Sequence, residues 1–84
     1  MISNEKIQEI VEGLSIIGQD TSVPKNVRIR VQKALSLLEG TFGRDLDLKI
    51  DQSLQELGDI AEDPNLPQYT RMQIWSMVSI LESR

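Results

Sequence analysis

The sequence predicts an all-α protein, an up-down four-helix bundle made of two similar antiparallel helical hairpins. Four separate segments carry apolar residues at spacings of three and four, which is the spacing of one helix face. Glycine or proline lies at the boundaries of these segments, and no segment shows the apolar–polar alternation of a strand. Because short connections join helices of about sixteen residues, consecutive helices are expected to run antiparallel.

The first helix is predicted over residues 4–17. Its apolar face consists of Ile7, Ile10, Val11, Leu14 and Ile17. Ser3 is a suitable N-cap, because its hydroxyl can accept a hydrogen bond from a free backbone N–H of the first turn. Ile2 and Ile7 have the spacing of a hydrophobic staple. Gly18 is expected to end the helix.

The second helix is predicted over residues 24–39. Pro24 is expected in its first turn, where the missing N–H of proline costs nothing. Its apolar face consists of Val27, Val31, Ala34, Leu35 and Leu38. Gly40 ends this helix, and the glycine-containing stretch up to residue 43 is expected to form a flexible joint between the two hairpins.

The third helix is predicted over residues 46–62, capped by Asp45 or Asp47. Its apolar face consists of Leu46, Ile50, Leu54, Leu57 and Ala61. Pro64 forces the helix to stop, because the residue before a proline avoids the helical region. The fourth helix is predicted over residues 67–83. Its apolar face consists of Thr70, Ile74, Met77, Val78 and Leu81.

The two halves of the chain align without a gap when the sequence is shifted by forty-three positions. The apolar rows then coincide, and the turns share three identities: Asp20 with Asp63, Pro24 with Pro67, and Arg28 with Arg71. This period is in the range of HEAT repeats. We expect a single domain over residues 1–84, with hairpins at 1–40 and 44–84. Duplication and shared packing requirements both explain the match.

The same turns carry a resemblance to a known family. The segments Thr21–Arg28 and Asp63–Pro67, followed by Arg71 and the tryptophan-containing stretch Ile74–Glu82, resemble the small archaeal proteins grouped as uncharacterised protein family 0147. The resemblance covers almost the whole chain. It implies a four-helix bundle and an archaeal origin, and it implies no activity.

Composition argues against several classes of chemistry. The chain has neither cysteine nor histidine, so it lacks the usual thiolate nucleophile, the commonest general base and the common zinc ligands. Its acids lie off the apolar rows, as in a solvated face, and no phosphate-binding glycine motif occurs. We therefore expect no enzyme, no cofactor and no metal site.

The chain is also expected to be cytoplasmic and to have no membrane partner. No basic segment followed by an apolar run begins it, as a signal peptide requires. The stretch Met72–Leu81 is uncharged, but a bilayer span needs about 20 apolar residues.

An accessory nucleic-acid-associated protein is the alternative function. The second helix carries four basic residues, Lys25, Arg28, Arg30 and Lys33. They spread around the helix instead of forming one stripe, and the chain has a net charge of −4. The sequence therefore argues against nucleic-acid binding. The basic residues are better explained as partners of the third helix and its ends, since seven acids accompany one lysine over residues 45–63.

A protein-binding surface is the function that the sequence favours. The fourth helix has more apolar surface than one core row needs, and the second helix adds outward apolar residues at equivalent repeat positions. The candidate partner-binding residues are Ile29, Leu37, Met72, Trp75 and Ile80. Tryptophan and methionine are enriched at interface cores. The alternative is that Trp75 is a core residue packed by Phe42.

The sequence thus predicts a small non-enzymatic interaction module, either a homodimer or an adaptor that docks on a larger protein assembly. It makes two structural predictions besides. Each turn arginine is expected to reach back to the acid before it, Arg28 to Asp20 and Arg71 to Asp63. Gly13 and Gly58 lie off the core rows, so that alanine is expected to be tolerated at both.

Overall fold

The chain forms four α-helices in a computed structural model that describes residues 2–39 and 45–83. The helices are α1 (Asn4–Gly18), α2 (Lys25–Leu38), α3 (Leu46–Ala61) and α4 (Gln68–Glu82). No strand occurs among those residues. The all-α prediction is confirmed, and the predicted helix bounds differ from these by at most one residue. The predicted joint around Gly40 and Gly43, and Phe42 within it, lies outside the described residues.

Each helix packs against the next helix along the chain, as expected for an up-down bundle. The contact between α1 and α4 is much lighter than the three sequential contacts. Within the described ranges, α2 and α4 do not contact each other, so they lie diagonally across the bundle. Their outward faces therefore belong to separate surfaces of the protein.

One continuous core joins all four helices. It contains the predicted apolar rows, together with one apolar residue from each hairpin turn, Val23 and Leu66. Residues forty-three positions apart are buried together, such as Leu14 with Leu57 and Val31 with Ile74. Three members of the predicted rows, Leu35, Leu46 and Leu54, are only partly buried at the edge of the core.

The helix starts were predicted to within one residue. The backbone N–H of Lys6 donates to Ser3 Oγ at 3.2 Å, which confirms the predicted N-cap. Pro24 and Pro67 instead lie just before α2 and α4, and not in their first turns. Both prolines have extended ψ angles, 144° and 142°. Their carbonyl oxygens accept the first helical hydrogen bonds, from the backbone N–H groups of Arg28 and Arg71.

Gly18 is the last residue of α1, as predicted, and Gln19 follows it as the C-cap. Its role is to allow a close approach. The side chain of Gln32 packs over it, so that an added Cβ would lie 3.1 Å from Gln32 Cγ. Gln32 Nε2 also donates to the carbonyl oxygen of Gly18 at 3.0 Å, which satisfies a helix-terminal acceptor from the neighbouring helix.

Two polar residues replace apolar ones in the core of the second hairpin. Ser53 and Thr70 are buried where the first hairpin has Ile10 and Val27. Ser53 Oγ donates to the carbonyl oxygen of Ile50 at 2.9 Å, so its burial is compensated. The hydroxyl of Thr70 makes no hydrogen bond within the described residues, although the residue is only 4% exposed.

We expect Thr70→Val to stabilise the protein by about 1 kcal/mol. The change removes an unpartnered buried hydroxyl, keeps the β-branched shape and reproduces the Val27 of the first hairpin. Urea unfolding of the two proteins measures the difference. Val27→Thr is the matched control and should destabilise, and a loss of stability in Thr70→Val would show that its hydroxyl has a partner.

The two internal glycines lie in different surroundings. A Cβ at Gly58 would meet nothing within 4 Å, whereas a Cβ at Gly13 would lie 2.6 Å from Met77 Cε. Gly13 is thus where α4 approaches α1, and only the flexible end of Met77 occupies the space. Tolerance of alanine at both glycines stays a prediction, and the close approach of Met77 makes Gly13 the tighter of the two positions.

Gly58→Ala should therefore raise the free energy of unfolding by about 0.5–1 kcal/mol, the usual helix preference of alanine over glycine. Gly13→Ala should gain less, because the end of Met77 must move. Thermal or urea unfolding of both variants provides the comparison. Equal gains at the two positions would contradict a close approach of α4 at Gly13.

Candidate functional site

Two hairpin turns of the same geometry position the helices. In each turn an aspartate carboxylate accepts a hydrogen bond from the backbone N–H of the second residue after it. Ser22 N–H donates to Asp20 Oδ1 at 2.9 Å, and Asn65 N–H donates to Asp63 Oδ1 at 2.8 Å. The carbonyl oxygens of the same aspartates accept backbone hydrogen bonds from Val23 and Leu66. These Asx turns place Val23 and Leu66 in the core.

The turn arginines do not form the expected ion pairs with Asp20 and Asp63. Arg28 Nε donates to the carbonyl oxygen of Val23 at 3.1 Å. Arg71 donates to the carbonyl oxygens of Ala61 and Asp63, at 2.9 and 2.7 Å. Each arginine does bind its turn, as predicted. The predicted acceptor, the aspartate carboxylate, is wrong, because the arginines bond backbone carbonyl oxygens. The carbonyl of Ala61 ends α3 and lacks a helical partner, and the other two acceptors lie in the turns, whereas the carboxylates are engaged by the Asx turns.

Ser22 lowers the pKa of Asp20 below its ordinary value. The Ser22 hydroxyl donates to Asp20 Oδ1 at 2.7 Å, and the Ser22 backbone N–H donates to the same atom. Both hydrogen bonds favour the ionised carboxylate, and the positive charge of Arg28 adds a smaller effect.

The basic side chains of α2 pair with the acids of α3. Lys33 Nζ lies 3.2 Å from Glu56 Oε1, and the guanidinium of Arg30 lies 4.0 Å from Asp59. The predicted complementarity between these two helices is thus present. A polar depression of about 390 Å³ lies beside these pairs, and Leu37 is among its lining residues.

The outer side of α4 carries three large apolar side chains. Tyr69, Met72 and Trp75 are 73%, 63% and 48% exposed. Trp75 is therefore not a core residue, which removes the alternative that placed it in the interior. We call these three residues the α4 apolar face. An open depression of about 400 Å³ lies beside Tyr69 and Met72, and its lining includes Ser76 and Met77.

The structure does not bring the five predicted partner-binding residues into one surface. Ile29 is exposed, but it lies on α2, which does not contact α4. Leu37 is half-buried and lies beside α3. Ile80 is half-buried and packs against the core. Only Met72 and Trp75 remain together as exposed residues of one helix face.

Sequence reasoning missed Tyr69, the most exposed large apolar residue of the described chain. Its position three residues before Met72 was the available signal, because residues at that spacing are neighbours on a helix surface. Ile16 of α1 and Leu48 of α3 are also exposed and were not singled out.

Residues 2–39 and 45–83 contain neither a metal-binding cluster nor a membrane-spanning helix. No group of three or more acidic, histidine or cysteine side chains there is placed to hold a metal ion. None of the helices in that part of the chain is both long enough and apolar enough to cross a membrane.

The fold and its surface define a small protein of two helical hairpins with an exposed aromatic and methionine face. The chain belongs to the Uncharacterised protein family UPF0147, whose profile matches residues 1–83. It is also similar to MMP1188, a protein of unknown function whose crystal structure is known. The sequence identity is 38% and the TM-score 0.86, over 100% of this chain and 96% of MMP1188. A comparison with curated proteins found no significant match.

We expect Ser22→Ala to raise the pKa of Asp20 towards its ordinary value of about 3.9, because the change removes the hydroxyl donor. The folded-state pKa is lowered, so the hydrogen bond stabilises the fold fully above that ordinary value. This contribution is lost as the pH falls through the lowered pKa. Carboxyl chemical shifts in an NMR titration report the pKa directly. Thr21→Ala is the neighbouring control and should leave it unchanged.

Proposed function

We propose that the protein is a non-enzymatic interaction module that binds another protein surface through the α4 apolar face. The observation that carries this proposal is the exposure of Tyr69, Met72 and Trp75 on one side of a single helix. No charged residue interrupts α4 between Met72 and Leu81. Large apolar side chains grouped on a surface are typical of protein interaction sites.

The α4 apolar face is suited to binding because its residues contribute little to the core. The inward side of α4 is already filled by its own buried row, including Ile74 and Leu81. Trp75 and Met72 are therefore available to supply the aromatic and methionine anchors that interface cores favour. The partner is a second copy or a larger assembly, and a cytoplasmic location is part of this proposal.

Nucleic-acid binding is the less favoured function. Arg30 and Lys33 pair with acids of α3, and Arg28 and Arg71 donate to turn carbonyls. These basic groups are thus engaged within the protein, and the net charge of −4 opposes an approach to phosphates. Salt discriminates the two functions, since binding to phosphates weakens steeply as salt rises and an apolar interface persists.

Trp75→Ala should weaken binding to the cellular partner by about 2 kcal/mol or more, which is roughly 30-fold in Kd. The free energy of unfolding should change much less, because the side chain is half-exposed. Affinity purification of tagged protein from its native cell, in low and high salt, identifies the partner. Titration with that partner measures Kd, and urea unfolding measures stability.

Ile29→Ala is the matched control, because Ile29 occupies the repeat position of Met72 and is similarly exposed at 57%. It should leave binding unchanged. A loss of about 3–5 kcal/mol of stability in Trp75→Ala would instead indicate a core role and contradict the proposal.

A further inference from the structure

Five exposed residues on the outside of α4 have the spacing of a coiled-coil contact row. Their spacings alternate between four and three: Gln68, Met72, Trp75, Ser79 and Glu82. This is the spacing by which one helix packs along another over its length. We call these residues the α4 seam. It spans about 21 Å, given the 1.5 Å rise of each helical residue.

The first hairpin has a matching row on the outside of α2, with a polar residue at its centre. Shifted by forty-three, the seam corresponds to Lys25, Ile29, Gln32, Ser36 and Glu39, which are likewise exposed. There Gln32 holds the central position, and its amide is used inside the chain, on the carbonyl of Gly18. On α4 the central residue is Trp75, and the carbonyl of Ala61 is satisfied by Arg71 instead.

We propose that a second copy of this chain covers the α4 seam, in an antiparallel homodimer centred on Trp75. This inference rests on the proposed function and names the partner. Two copies of a chain of net charge −4 repel each other. The centre of the α4 seam is uncharged, so two copies can meet there without placing like charges in contact.

The residues at the two ends of the α4 seam favour an antiparallel over a parallel arrangement of the two copies. Gln68 and Glu82 lie seven residues before and seven residues after Trp75. A two-fold axis at Trp75 therefore places Gln68 of one copy opposite Glu82 of the other. Arg71 Nη1 already donates to the amide oxygen of Gln68 at 3.3 Å, which leaves the amide N–H groups for a carboxylate. A parallel arrangement would place the two Glu82 side chains together.

The sizes of the side chains fit the same arrangement. Met72 lies three residues before Trp75 and Ser79 lies four after it, so the long side chain of one copy faces the small side chain of the other. The two Trp75 rings meet at the axis, where an offset arrangement of aromatic rings is favourable. The interface uses one helix from each copy. Its buried area is therefore small compared with the roughly 1,200–2,000 Å² that a standard protein–protein interface buries. We therefore expect a weak dimer that depends on concentration.

Single-cysteine variants test this register, because the natural chain has no cysteine. Under oxidation, Met72→Cys mixed with Ser79→Cys should form a cross-link between the two variants. Neither variant should cross-link efficiently to itself, since the two copies of one position lie about seven residues apart, or roughly 10 Å. A mixture of Ile29→Cys and Ser36→Cys, at the matching positions of α2, is the control and should remain monomeric.

Trp75 is the sole tryptophan, so its fluorescence reports the same interface in the natural chain. Emission should shift to shorter wavelength as concentration rises, in parallel with the mass from sedimentation. Ser79→Glu should abolish both changes, and Ser36→Glu should abolish neither. Gln68→Lys should tighten the dimer by up to about fivefold, and Gln68→Glu should weaken it.

Preferential cross-linking of Met72→Cys to itself would overturn the antiparallel register. A chain that stays monomeric at millimolar concentration would overturn the homodimer. If such a monomer still binds another protein through Trp75, the interaction module stands and only the second copy is excluded. If it binds no protein at all, both proposals fail.

Discussion

The constraint on which the structure depends is the sharing of one core by four amphipathic helices. Each hairpin presents an apolar row on only one side, so neither buries that row without the other. The rows of α2 and α3 meet along the middle of the bundle, and α1 and α4 close it from outside with a light mutual contact. Because this burial occupies only the inward sides, the outward sides are free of packing requirements.

The two hairpins show which residues this constraint requires. The two hairpins have the same turn geometry. Each has an Asx turn, at Asp20 or Asp63, and an arginine that donates to a turn carbonyl. The buried positions also correspond, with Ser53 and Thr70 as the polar exceptions. The outward positions diverge, most clearly where Gln32 corresponds to Trp75. Gln32 serves the fold through its hydrogen bond to the Gly18 carbonyl, whereas the half-exposed Trp75 directs attention to the α4 apolar face.

Secondary structure could be predicted closely because its signals are local. Apolar spacing, the Ser3 cap and the two prolines each act through residues within a few positions along the chain. The core rows followed from the same spacing. The acceptors of Arg28 and Arg71 could not be predicted in this way. A carboxylate is the obvious partner in a sequence, whereas the carbonyls of Val23, Ala61 and Asp63 come within reach of the arginines only in the folded turns.

The candidate site shows the same division. Four helices, their inward faces, the repeat and an excess of apolar residues on the last helix could all be inferred from the sequence alone. Which of those residues share a surface depends on the tertiary structure. Ile29 and Met72 lie on separate surfaces because α2 and α4 are diagonal, and Ile80 packs against the core. It also placed Met77 against Gly13 and left Trp75 half-exposed. The physical reason is that helical spacing specifies the side of a helix on which a residue lies, whereas its exposure depends on which other helices cover that side.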